Sequence, residues 1–232
     1  MNGIYCGPPP LPGDMWALWN LDPVLIAVLT VAAAIFRRDP AGRLGVAVLV
    51  VAFVSPVCAL SSALFSARVV HHVLLVAAAA PLFAWSLPPR GPGSIALPFI
   101  FATVVLWFWH VPVAYDIALS HQGVYWLMQL TLLGSAVLFW RSVFADGRSP
   151  VDAMLFILAG FVQMGMLGAL LTFAPAPLYE AHAVAPLAWG LTPLTDQQAG
   201  GLLMWVPAGG AYAVAAALVA RRSWLRLKGE AG

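Results

Sequence analysis

Long apolar runs, parted by short breaks rich in charge, Gly and Pro, constrain this chain more than any other feature. A hydrocarbon core of about 30 Å needs roughly 20 apolar residues of helix to cross it. The sequence offers seven such runs, at about 21–36, 44–64, 70–87, 95–112, 122–140, 151–174 and 200–220. The clearest breaks are Arg37-Arg38-Asp39-Pro40, Pro88-Pro89-Arg90-Gly91-Pro92-Gly93 and Asp146-Gly147-Arg148-Ser149-Pro150, where charge combines with the residues that end helices. The first run is short, and Trp16 and Trp19 extend it into the headgroup layer as an aromatic anchor. Of 232 residues 62% are hydrophobic and 9% charged, against roughly 25% charged in an ordinary soluble domain. Such an excess of apolar surface must face lipid. The expected fold is all-α, an integral membrane bundle of seven transmembrane helices.

The arginines orient that bundle. With the N-terminus periplasmic and the C-terminus cytoplasmic, the cytoplasmic segments hold Arg37, Arg38, Arg43, Arg90, Arg141, Arg148, Arg221, Arg222, Arg226 and Lys228, ten of the eleven basic residues, and only Arg68 lies outside. The excess of Lys and Arg on cytoplasmic loops selects this orientation. No Lys or Arg precedes the first run, so the basic start of a signal peptide is missing and the first helix is expected to stay in the mature protein. The expected organisation is a periplasmic segment 1–20, a transmembrane domain 21–220 and a basic cytoplasmic tail 221–232. Within the domain, the stretch 175–199, with Pro175, Pro177, Pro186 and Pro193, forms an outer cap. A net charge of +2, with no basic stripe interleaved with aromatics, excludes nucleic acid as a partner.

This orientation gathers the ionisable side chains at one end. His71, His72, His110, His121 and His182 all fall on the outer side or in the outer third of a helix, as do Asp14, Asp22, Asp116, Glu180, Asp196 and both cysteines. So do Met15, Met128, Met164, Met166 and Met204. Ionisable groups at membrane depth are costly and line cavities or sites, and imidazole with sulfur is a ligand set suited to copper. A lone interfacial histidine more often serves as a hydrogen-bonded headgroup-level residue, and Met as a gap-filler, so only a convergent set counts.

His72 follows Arg68 by one turn on the same helix face. His71 points about 100° away and is expected not to share that site. His110, between Trp109 and Pro112, is expected where side chains meet water. His121 and His182 read as loop residues. Cys6 and Cys58 form neither a CxxC pair nor a disulfide framework. Gly200-Gly201 and the set Gly160, Gly165, Gly168 and Ala169 read as close-packing surfaces, and Pro207 as a kink in the last helix.

Three stretches together resemble a known family. They are Arg68-Val-Val-His-His-Val-Leu-Leu running to Pro81-Leu82; Trp109-His110-Val-Pro112-Val-Ala-Tyr115-Asp116; and Pro177-Leu-Tyr179 with Asp196-Gln197-Gln-Ala-Gly200-Gly201-Leu-Leu-Met204-Trp205. In this order they resemble the CtaG family of bacterial cytochrome c oxidase assembly factors, seven-helix membrane proteins of the Bacillus type, over roughly residues 14–226. The opening Tyr5-Cys6-Gly7-Pro8-Pro9-Pro10 and Trp19-Asn20-Leu21-Asp22-Pro23 look like a proteobacterial branch.

The resemblance implies a multi-pass protein of the bacterial inner membrane, without catalytic activity, that matures a haem–copper oxidase by aiding copper delivery to its catalytic subunit. Partners would be that subunit or other assembly factors, together with the lipid bilayer. Only His72, His110 and the Asp196-Gln197 pair carry over directly from the resemblance; with shared depth added, the expected metal residues are His72, His110, Asp116 and Asp196, with Cys6, Cys58, Met164 and Met204 as weaker candidates. The sequence departs from the family where a first histidine is Arg68 and where two fifth-helix histidines appear as Tyr125 and Gln129. Arg68 would also repel a cation bound at His72.

Two other classes fit the same residues: a transporter of copper or a small solute, and a redox protein with haem between His72 and His110. A retinal protein is excluded because the only lysine, Lys228, lies in the tail.

Overall fold

The computed structural model describes residues 5–88, 91 and 93–230; Pro89, Arg90 and Pro92 of the second break lie outside the described residues. All regular structure among these is helical: α1 (Pro23–Ile35), α2 (Pro40–Phe53), α3 (Pro56–Ala63), α4 (Phe65–Val73), α5 (Ala80–Ser86), α6 (Ala96–Phe108), α7 (Pro112–Ser120), α8 (Gln122–Val143), α9 (Pro150–Phe173) and α10 (Pro193–Glu230). Four of the helices begin at an Asp-Pro or Ser-Pro pair. Asp22, Asp39, Ser55 and Ser149 accept from the N–H groups of Val24, Gly42, Val57 and Asp152, and the prolines after them stand where an N–H would be unpaired anyway.

Four helices are long and apolar enough to cross a bilayer: Phe65–Ser86 (α4 and α5 joined through a π-helical turn, Leu74–Ala79), Gln122–Val143, Pro150–Phe173 and Pro193–Arg226. Two more candidates are bent pairs, α2 with α3 at 47° and α6 with α7 at 75°. Each bend falls at a proline, Pro56 or Pro112, whose ring cannot donate to the preceding turn. α1 has 13 residues, about 20 Å of helix, short of a 30 Å core. The protein is therefore an all-helical membrane bundle with four to six candidate spans among the described residues. α10 runs unbroken through Pro207, which lies on its exposed side, and continues as helix through Glu230 into the basic tail.

α9 and α10 form the most extensive helix pair. A Cβ on Gly168 would stand 2.7 Å from the carbonyl oxygen of Gly201, and one on Gly201 would stand 2.5 Å from that of Gly168, so only glycine allows the two backbones this close. The π turn has identifiable causes. Pro81 removes the bond to the carbonyl of Ala77, and the indole Nε1 of Trp140 donates to Val76 O at 2.9 Å.

Contacts between connecting segments define two ends. At one, which carries the histidines, Tyr5 meets Asp22, Phe65 meets Asp196 and Asp116 meets Ala181. At the other, which carries the arginines, Arg141 donates to Pro88 O, Arg148 donates to Gly93 O and Arg222 stacks on Trp85.

Candidate functional site

A buried polar cluster fills the histidine end. Arg68, His71, His72, His110, Gln129, His182, Asp196 and Gln197 are all buried, with Arg68, His71 and Asp196 at 0% exposure. Polar groups taken this deep need partners, and the cluster divides by whether they have them.

The acids are engaged. Asp196, in the first turn of α10, accepts from Phe65 N at 2.6 Å, Ser66 N at 3.1 Å and the Ser66 hydroxyl, which caps α4 with negative charge where a helix favours it. Gln197 accepts from Leu178 N at 2.7 Å and donates to Leu171 O at 3.2 Å. A Cβ on Gly200 would lie 2.6 Å from the Phe65 ring. The Asp196-Gln197-Gln-Ala-Gly200-Gly201 motif is thus a docking device that seats α10 against α9 and the start of α4. Asp116 accepts from Glu180 N at 3.3 Å and Ala181 N at 3.1 Å, tying α7 to the segment between α9 and α10. Both carboxylates expected among the metal residues are taken up by N–H groups.

His182, read from the sequence as a loop residue, is buried and fully used. Its Nδ1 donates to Ala63 O at 3.3 Å and its Nε2 accepts from the Tyr115 hydroxyl at 2.8 Å. Burial first, then the positive charge of Arg68, holds its imidazole down to about 4. Nearby, burial first, then Asp116, raises the Tyr179 phenol, whose hydroxyl donates to His110 O at 3.0 Å.

The structure corrects three expectations. Cys6 and Cys58 are joined in a disulfide across 52 residues, because the N-terminal segment folds back onto α3; no short spacing motif marks such a pair, and neither thiol is free to ligate. His110 is only 6% exposed, since the 75° turn at Pro112 folds α7 back and Tyr179 closes over the turn. His71 does join the cluster, its ring centre 6.0 Å from that of His72 and 4.7 Å from that of Phe53, because α4 is surrounded by protein on both faces.

What remains is a pair of imidazoles. The rings of His72 and His110 are 6.1 Å apart between centres, at 78°. His110 Nδ1 contacts Leu106 O at 2.7 Å; a carbonyl can only accept, so Nδ1 carries the proton and Nε2 keeps its lone pair. Neither nitrogen of His72 or His71, none of the three nitrogens of Arg68 and neither amide atom of Gln129 has a hydrogen-bond partner among the described residues. The Arg68 guanidinium lies 5.3 Å from the Tyr125 ring centre, and the Tyr125 hydroxyl touches Cys6 Sγ at 3.4 Å. Met164 lines a cavity of about 40 Å³ with Val76 and Leu106, one turn further along the helices from His72 and His110. Met204 is buried at 1% exposure. Among the described residues no three of His, Cys, Asp or Glu converge as a metal site.

A family model described as cytochrome c oxidase caa3 assembly factor (Caa3_CtaG) matches residues 95–226, more than half of the chain. That stretch includes His110, Asp116 and Asp196 but not His72. No curated protein and no solved structure matches.

Proposed function

Because the chain belongs to the cytochrome c oxidase caa3 assembly factor family, we propose that it supplies copper to the oxidase's catalytic subunit, holding the ion between His72 and His110. The observation that carries this reading is the imidazole pair itself. Nitrogen-to-metal distances of roughly 2 Å on each side, together with the ring radii, put two imidazoles that share one ion about 6 Å apart, in keeping with the 6.1 Å between these ring centres. The Leu106 carbonyl holds the Nδ1 proton of His110 and leaves the Nε2 lone pair free for an ion, as a carbonyl behind a ligating histidine typically does.

Arg68 sets the oxidation state in this reading. Repulsion scales with the charge of the ion, so a guanidinium in the same cluster favours Cu(I) over Cu(II). Two ligands, with no third His, Cys, Asp or Glu converging on the same point among the described residues, also suit an ion that must be passed on. Copper is here the cargo, and the role is non-catalytic. In this reading the protein is a seven-span protein of the bacterial inner membrane with the histidine end outward, which the distribution of arginines supports.

The test is copper stoichiometry of purified protein loaded with Cu(I) under ascorbate. Wild type and His121→Ala, an exposed loop variant, should retain copper, whereas His72→Gln and His110→Gln should lose it. Equal retention in all four would remove the metal site. Independently, oxidase purified from a strain lacking this protein should be poor in copper; oxidase with full copper and activity would sink the delivery role.

A further inference from the structure

The outward side of α9 and α10 carries a second feature, built from residues outside the histidine cluster. An apolar groove of about 980 Å³ runs between them, walled by Met154, Leu158 and Phe161 on one side and Trp205, Ala213 and Ala216 on the other. It exists because α10 presents Gly209, Ala213, Ala216 and Ala220 along it, residues too small to fill the space that the larger α9 side chains leave.

At the arginine end the groove shares Pro150, Val219 and Ser223 with a small pocket of about 40 Å³ whose charged lining is Arg148, Arg222 and Arg226 against a single acid, Asp146. A further pocket of about 110 Å³ places Arg141 beside Arg222. Two of these arginines are held in place. Arg222 stacks over Trp85 at 3.7 Å, and Arg148 donates to Ser142 O and Gly93 O.

We propose that this composite surface is a binding site for an anionic phospholipid, with its acyl chains along the α9–α10 groove and its phosphate among Arg148, Arg222 and Arg226. Charge complementarity selects the occupant. An apolar helix from a partner would match the groove but would leave three guanidiniums around one carboxylate, whereas basic pockets between membrane helices are recognised seats for anionic headgroups. The flanking Trp85 and Trp224 mark this end as the headgroup level.

The experiment is lipid retention. The protein is reconstituted in vesicles of phosphatidylcholine mixed with phosphatidylglycerol, extracted in mild detergent, and its bound lipids are counted by native mass spectrometry. Wild type should keep phosphatidylglycerol over phosphatidylcholine by roughly tenfold or more. The double variant Arg148→Gln/Arg226→Gln should bring the two to parity, and Ala213→Phe should release both by filling the groove. Equal retention of the two lipids by wild type would overturn the proposal, as would an undiminished preference in the arginine variant. So would displacement of the lipid by a co-purifying membrane helix.

Discussion

The two ends of the bundle handle charge in opposite ways. At the histidine end, a cluster of ionisable groups is taken inside: Arg68 and Asp196 are at 0% exposure, and His72 is at 2%. The acids there cap helices, with Asp196 bonded to Phe65 and Ser66 and Asp116 bonded to Glu180 and Ala181. At the arginine end the charges stay at the surface and lean on exposed carbonyls, as Arg141 does on Pro88 and Arg148 on Gly93. Buried polar groups are costly unless every element around them is held in register, while surface charges contribute little to folding. One end is built to hold a geometry, and the other keeps its charges in reach of solvent. Perturbing the first should therefore cost far more than perturbing the second.

The largest effect should come from the disulfide. Cys6 and Cys58 close a loop of 52 residues, for which chain entropy alone gives about 4 kcal/mol. Cys6→Ser/Cys58→Ser should lower the thermal unfolding midpoint in detergent by many degrees, and treatment with a dithiol should reproduce the shift. A midpoint within error of wild type would erase the contrast between the ends.

Acid should act next, and again at the histidine end. The His182 imidazole is held down to about 4, below the ordinary histidine value near 6.5. Between these values the unfolded chain binds a proton that the folded chain refuses. Stability from neutral His182 is therefore complete above about 6.5 and is lost as pH falls towards 4, a change on the order of 3 kcal/mol. His182→Gln should flatten unfolding profiles across that window. A wild-type profile flat from pH 7 to 4 would show that the Tyr115–His182–Ala63 chain is not what closes this end.

Much of this asymmetry is legible in the residue order, because it rests on periodicity and charge. The apolar runs and the arginines in their breaks mark helices and ends without reference to packing. The motifs were legible as motifs but not as mechanisms. Asp196 and Asp116 carry the residue type of ligands, and only the approach of α4 and of the 174–192 segment turns them into caps. Cys6 and Cys58 were opaque for a related reason: a pairing over 52 residues depends on where the N-terminal segment folds, which no local pattern encodes. The burial of His110 is hidden because a proline after an apolar run marks a stop and a corner alike, and Pro112 is a corner that turns α7 back over the site at 75°. Local rules locate elements, and burial is decided by which elements fold over one another.

The smallest effect should be at the arginine end. Arg141 donates one solvent-exposed hydrogen bond, to Pro88 O at 2.9 Å, so Arg141→Gln should cost less than about 1 kcal/mol. It should also leave orientation unchanged, because nine of the ten basic residues assigned to that side would remain and the bias acts through their sum. The measurement pairs a thermal midpoint with labelling of a single introduced cysteine in the C-terminal tail, in the Cys6→Ser/Cys58→Ser background, by a membrane-impermeant maleimide. The tail should stay protected in intact cells or spheroplasts, and the midpoint should stay within a few degrees of that background. A large destabilisation would mean that the arginine end is also a structural clamp. A tail that becomes labelled would mean that orientation hangs on this one side chain, and either result would dissolve the division of labour between the two ends.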